Sequence, residues 1–142
     1  MKKLRTIFAI LVALSLIVVG CSSKNAKNDT KSDGKNGYKI GVVTGEGGAK
    51  DKSFNQANVE AIQAWTKANG AKEPVVLETK TQSDLTSNLQ NAAKVSDIIS
   101  LAGYEFEKEI PKVAEQYKDK KFMYVDTFVD APNIASLIFK EQ

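Results

Sequence analysis

Histidine is missing from all 142 residues, and cysteine occurs once, at Cys21. The first absence removes the usual general base and the commonest metal ligand; the second rules out an internal disulfide. An extracytoplasmic enzyme on this chain would have to work with carboxylates such as Asp51, Asp84 or Asp126, so no enzyme, metal or cofactor is expected. Proline occurs only three times and 42% of residues are hydrophobic, which excludes collagen-like and wholly disordered chains and suits one globular domain. Excess charge is also scarce. The formal +3 arises because 20 basic residues face 17 acidic ones, and Lys2, Lys3 and Arg5 supply the surplus. Beyond residue 20 the charges balance, which leaves no general pull towards nucleic acid. The longest apolar run, Ile7 to Val19, has 13 residues with Ser15 as its one polar member, too short to span a bilayer comfortably.

That run has the proportions of a signal-peptide core, with a basic start before it. It ends in Val18-Val19-Gly20-Cys21, where a branched apolar residue and a small residue before cysteine resemble the bacterial lipobox. On that reading residues 1–20 are a lipoprotein signal and Cys21 is the acylated first residue of the mature chain. A reactive free thiol is the weaker reading, since no histidine is present to activate it. Residues 21–37 then form a hydrated tether, because from Ser22 to Gly37 only Ala26 offers an apolar side chain.

From Tyr38 onward, short apolar runs alternate with helical periodicity. Tyr38 to Thr44 reads as a strand broken by Gly45, Gly47 and Gly48. Phe54, Ala57, Ala61, Ile62, Trp65 and Ala68 recur at helical spacing, with Ser53 and Gln56 as a capping box and Gly70 as a stop. Val75 to Leu77 is a second strand, and Leu85, Leu89, Ala92 and Ala93 mark a second helix with Ser83 as its cap. Ile98 to Ala102 is a third strand. Ile110, Val113, Ala114 and Tyr117 give a third helix that holds Pro111 in its first turn. Phe122 to Val125 and Ile134 to Phe139 supply two more strands. This order predicts an α/β fold, a doubly wound parallel sheet with ligands beyond the carboxyl ends of its strands. It also leaves one face of the last strand uncovered.

Two phosphate-binding patterns fail on inspection. A P-loop needs glycine where Asp51 precedes Lys52-Ser53, and a dinucleotide loop needs it at Lys50. What remains is a glycine loop leading into a helix N-terminus with free N–H donors. Phe54, just inside that helix, suits either core packing or stacking against a flat ligand.

Gly41-Val42-Val43-Thr44, the Gly47-Gly48 pair and Asp51-Lys52-Ser53-Phe54-Asn55-Gln56 resemble the amino-terminal signature of the basic membrane protein family, PnrA-like lipoproteins that bind nucleosides for ABC importers. Further matches are Ala64-Trp65, Ser83-Asp84 with Asn88, Val113 to Tyr117, Phe122 to Asp126, and Pro132-Asn133-Ile134-Ala135 leading to Phe139-Lys140-Glu141. The resemblance implies a two-lobed type I periplasmic-binding-protein-like fold, of which residues 38–142 make up an incomplete amino-terminal lobe. It implies that Phe54 stacks on a nucleoside base, that Asn55 hydrogen-bonds the ligand, and that Asp126 binds a polar group such as a ribose hydroxyl. The implied partners are a purine or pyrimidine nucleoside, ABC permease subunits, and the membrane through the lipid on Cys21. The family commonly carries Asp where this chain has Gly45. A non-functional remnant of such a protein is the alternative reading.

The anchoring expectation has a direct test. Labelled fatty acid should enter the full chain and detergent should be needed to release it, whereas a Cys21→Ala variant that still labels and still fractionates with membrane would overturn the lipobox reading.

Overall fold

The computed structural model describes residues 37–140. The expected leader, most of the expected tether and Cys21, the expected lipidation site, lie outside these residues. Elements occur in the order β1 (Ile40–Thr44), α1 (Phe54–Ala68), β2 (Val75–Glu78), α2 (Leu85–Val95), β3 (Ile98–Ala102), α3 (Ile110–Gln116), β4 (Lys121–Val125) and β5 (Ile134–Leu137). The five strands form one parallel sheet ordered β2-β1-β3-β4-β5. For the first four strands the alternation of strand and helix forces this outcome, since each helix carries the chain back to the end from which the next parallel strand must start; β5 joins parallel through a helix-free link.

Successive side chains on a strand face opposite ways. Val43, Ile99, Leu101, Phe122 and Tyr124 point to the face covered by α2 and α3, where they meet Leu85, Leu89, Ile110 and Val113 in one buried cluster. This is the main core. Truncating one of its large members, such as Leu89→Ala, would remove about 2–5 kcal/mol. The turn of 3₁₀-helix from Tyr104 to Phe106 drops the fully buried Phe106 into the same cluster.

The opposite face departs from the apolar pattern. Helix α1 buries Asn55, Asn58, Val59 and Thr66, while Phe54 and Trp65 remain nearly half exposed, at 46% and 47%, and Ala57, Ala61 and Ala68 are exposed. The expected inward face was therefore misplaced. The reason lies on the sheet: α1 rests over Thr44 and Ser100, and Ser100 donates its hydroxyl to Asn58 Oδ1 at 2.7 Å in a buried position. Pairing Ser100 with Asn58 avoids the cost of an unpaired buried hydroxyl, whereas the buried Thr44 hydroxyl beside it has no hydrogen-bond partner among the described residues.

Two caps also differ from expectation. Ser53 occupies the N-cap of α1 without a side-chain capping bond, and Asp51 satisfies the helix start in its place. Before α2, Thr81 and Asp84 rather than Ser83 form the capping box, with the Asp84 carboxylate accepting the Thr81 N–H at 3.1 Å and its hydroxyl at 2.8 Å. Gly70 ends α1 in the left-handed region at φ 62°, and Pro111 lies in the first turn of α3, both as expected.

The link from β4 to β5 runs through residues 126–133 without a helix. Val129 substitutes for one: its N–H donates to Ser136 Oγ at 3.0 Å, and its side chain packs on the core. Asn133 closes the loop by donating its amide to the carbonyls of Ala114, Tyr117 and Lys120, which lie in the last turn of α3 and in the segment between α3 and β4. On the α1 side, β5 is bare. Ala135 is exposed, as are Leu137, Ile138 and Phe139, which agrees with the expected uncovered face.

A bare apolar edge strand invites pairing with another chain. The segment 21–142 is expected to self-associate in sedimentation velocity, and Leu137→Lys with Ile138→Lys should suppress this while changing stability by only about 0.5 kcal/mol. A parent segment that is monomeric and binds no apolar dye would remove the premise.

Candidate ligand-binding site

The first two helical crossovers carry the chain from β1 outward to β2, and then back past β1 to β3. The point of reversal therefore lies between β1 and β3, where the loops leave in opposite directions and open a crevice at the carboxyl ends. Gly45, Gly103 and Asp126 leave three adjacent strands, β1, β3 and β4, spaced at about 4.8 Å, so they span roughly 10 Å of this rim. The backbone N–H of Gly103 donates to the Val125 carbonyl at 3.1 Å and extends the β3–β4 pairing up to Asp126.

Residues 45–53 are shaped by Asp51. Its carboxylate accepts the N–H groups of Ser53 at 2.8 Å, Gln56 at 3.0 Å and Asn55 at 3.3 Å, and the Asn55 side-chain amide at 2.9 Å. Two of these are the second and third N–H groups of α1, which have no partner inside the helix. Asn55 Oδ1 in turn accepts the Gly45 N–H at 2.9 Å, tying the end of β1 to the start of α1. Burial works against the charge on Asp51, but the hydrogen bonds from Gln56, Ser53 and Asn55 outweigh it and hold its carboxyl below the usual aspartate value.

The three residues expected to meet a ligand, Phe54, Asn55 and Asp126, lie along this rim, while Cys21 lies outside the described residues. Phe54 projects at the first position of α1, half exposed, its ring 6.3 Å from that of Phe139 and tilted by 31°. Asn55 is buried, with its carbonyl oxygen on Gly45 and one amide hydrogen on Asp51, and its second amide hydrogen has no partner among the described residues. Asp126 is half-buried in the left-handed region at φ 78°, a conformation rare for residues other than glycine and tolerated best by Asn and Asp. Strain of this kind concentrates at functional sites. The Asp51 web was not foreseen; its only sequence signal was an acidic residue two positions before the apparent cap.

Burial raises the phenol of Tyr124 above its ordinary value, and the charges of Glu107, Glu105 and Asp126 push it the same way despite a hydrogen bond with Thr127. Tyr124 therefore stays protonated at neutral pH and donates to the Gly103 carbonyl at 3.0 Å. The rim is rich in acceptors and suits a neutral ligand that brings hydroxyl or N–H donors. Among the described residues no three His, Cys, Asp or Glu side chains gather as a metal site, and no helix is long and apolar enough to cross a membrane.

Comparison with known proteins decides the family. The family model described as Bmp, ABC transporter substrate-binding protein PnrA-like, matches residues 38–142. The chain belongs to the Bmp family. It is 29% identical over 140 residues to the CD4+ T-cell-stimulating antigen of Listeria monocytogenes, covering 94% of this chain and 39% of that protein. It is 27% identical over 145 residues to the ABC transporter nucleoside-binding protein BmpA of Lactococcus lactis, covering 99% of this chain and 41% of that one. The chain thus spans about two-fifths of the length of these curated relatives. Among solved structures, an ABC transporter solute-binding protein from Aeropyrum pernix superposes with a TM-score of 0.59 at 25% identity, over 70% of this chain and 28% of that one. The fold is that of the Bmp and related solute-binding proteins, a parallel α/β sheet with helices on both faces.

In this Bmp-family chain, Asp51→Ala is expected to lose about 1–2 kcal/mol of stability by removing the cap of α1. The folded pKa of Asp51 lies below its unfolded value of about 3.9. Its stabilisation is therefore present above that value and fades as pH falls through the folded one. Denaturant melts of parent and variant should differ at pH 7 and converge in strong acid; equal stability at pH 7 would show that the web contributes nothing.

Proposed function

We propose that this chain is the amino-terminal part of a lipid-anchored, extracytoplasmic substrate-binding protein that takes nucleosides for an ABC importer. The observation that carries the reading is the placement, within a fold matched over 38–142 by the Bmp family model, of a half-exposed aromatic and several acceptors on the crevice rim. Phe54 stacks on the base, the free amide hydrogen of Asn55 reaches a ligand oxygen, and Asp126 accepts from a ribose hydroxyl. The name of the Lactococcus relative, a nucleoside-binding protein, supports the ligand class. Cys21, at the end of its lipobox-like run, carries the lipid that holds the protein at the membrane beside its permease. Residues 38–142 serve as one lobe, and a second lobe covers the other face of the base.

Energetics then dictate how the site behaves. A base on one aromatic gains about 1–3 kcal/mol, and micromolar binding needs about 8 kcal/mol. The chain alone is expected to bind adenosine, guanosine, inosine or uridine in the millimolar range or below detection. Joined after Gln142 to the remaining part of the Lactococcus protein, it should reach micromolar affinity, and Phe54→Ala should weaken that by roughly tenfold or more. Calorimetry on the three proteins tests this. Micromolar binding by the chain alone would overturn the half-site reading, and a fusion indifferent to Phe54 would overturn the stacking role.

A further inference from the structure

Gly45 leaves β1 at the point of strand reversal, and the space its missing side chain would need is already taken. The carboxylate of Glu105, from the turn after β3, lies where a Cβ on residue 45 would stand. Glu105 is half-buried there and takes no hydrogen bond or ion pair among the described residues. Glu105 lies in the turn after β3 and Asp126 directly follows β4, the strand paired with β3, so the two carboxylates belong to adjacent loops at the carboxyl ends of the sheet. Tyr124 offers neither of them a proton, because its own is donated to Gly103.

A carboxylate without a donor, held between two loops at a ligand crevice, has its natural partners in whatever enters. We propose that Glu105 is a specificity-determining residue of the same crevice: it accepts hydrogen bonds from ligand N–H or hydroxyl donors, and position 45 is glycine so that this carboxylate has room. The inference rests on the nucleoside reading and adds to it a residue that the motif did not contain. It makes 45 and 105 a coupled pair. A side chain at 45 must expel Glu105, and a shorter residue at 105 leaves room for one at 45. A site that offers an acceptor rejects analogues lacking the matching donor, since the carboxylate is then desolvated without return.

The experiment uses the fusion of this chain with the remaining part of the Lactococcus protein, with calorimetry against guanosine, inosine, adenosine and uridine. Glu105→Gln, which keeps the size and removes the charge, should weaken the best ligand roughly ten- to a hundredfold. Gly45→Asp should weaken it comparably by crowding a second carboxylate into one niche. Gly45→Asp with Glu105→Ala, which returns a single carboxylate from the β1 side, should recover to within about threefold of the parent. Base-N-methylated and 2′,3′-dideoxy analogues identify the donor: whichever modification costs the parent affinity but not Glu105→Gln removes the group that Glu105 meets. Thermal melts establish that each variant folds, and if the double variant does not, Glu105→Gln decides alone. Unchanged affinity in Glu105→Gln, with Phe54→Ala still weakened, would overturn the role of Glu105 and leave the nucleoside reading intact. A folded fusion that binds no nucleoside would overturn both.

Discussion

The side-chain amide of Asn55 is where the end of the first strand, the glycine loop and the first helix are held together. Its oxygen takes the Gly45 N–H in a buried position, and its nitrogen gives a hydrogen to the partly buried Asp51. Without it, Gly45 would have a buried N–H with no acceptor, and the helix start would be free to shift against the sheet. Phe54 is the preceding residue, so its angle over the crevice depends on that one amide. Gly45 is held in place by the same bond, and the niche occupied by Glu105 is defined by where Gly45 stands.

The two faces of the sheet achieve cohesion by different means. Below α2 and α3 the contact is apolar and continuous, from Val43 through Leu101 to Tyr124, and its strength comes from area removed from water. Under α1 the contact is mixed, with the buried Val42 and Val59 beside a hydrogen bond from Ser100 to Asn58. Directional bonds of this kind fix register and angle more sharply than they add net stability. The apolar face thus supplies the scaffold, while the polar face orients the helix whose N-terminus borders the ligand crevice. The crevice rim belongs to the second system.

Much of this was legible in the sequence because it depends on local pattern. Five apolar runs separated by helical segments give five strands and three helices, and a parallel sheet is the consequence of the connections. The glycine loop, the stop at Gly70, the proline in the first turn of α3 and the helix-free final link depend on a few residues each. The motif Asp51 to Gln56 was also visible, and with it Phe54 and Asn55. The inner face of α1 was not. Reading hydrophobicity at 3.6-residue spacing selects Phe54, Ala57, Ala61 and Trp65, and the helix instead buries a row in which three of the four buried residues are polar.

The sequence by itself determined the fold class, the order of the strands along the chain and the family, because periodicity and short motifs are properties of neighbouring residues. Tertiary structure alone decided the order of strands across the sheet, the acceptor for the Gly45 N–H and the helix face turned inward. It alone brought Glu105 against Gly45, 60 positions apart in the chain. The physical reason is that a carboxylate's environment is set by whatever surrounds it in space, and parallel pairing of β1 with β3 makes neighbours of loops separated by two helices and two strands.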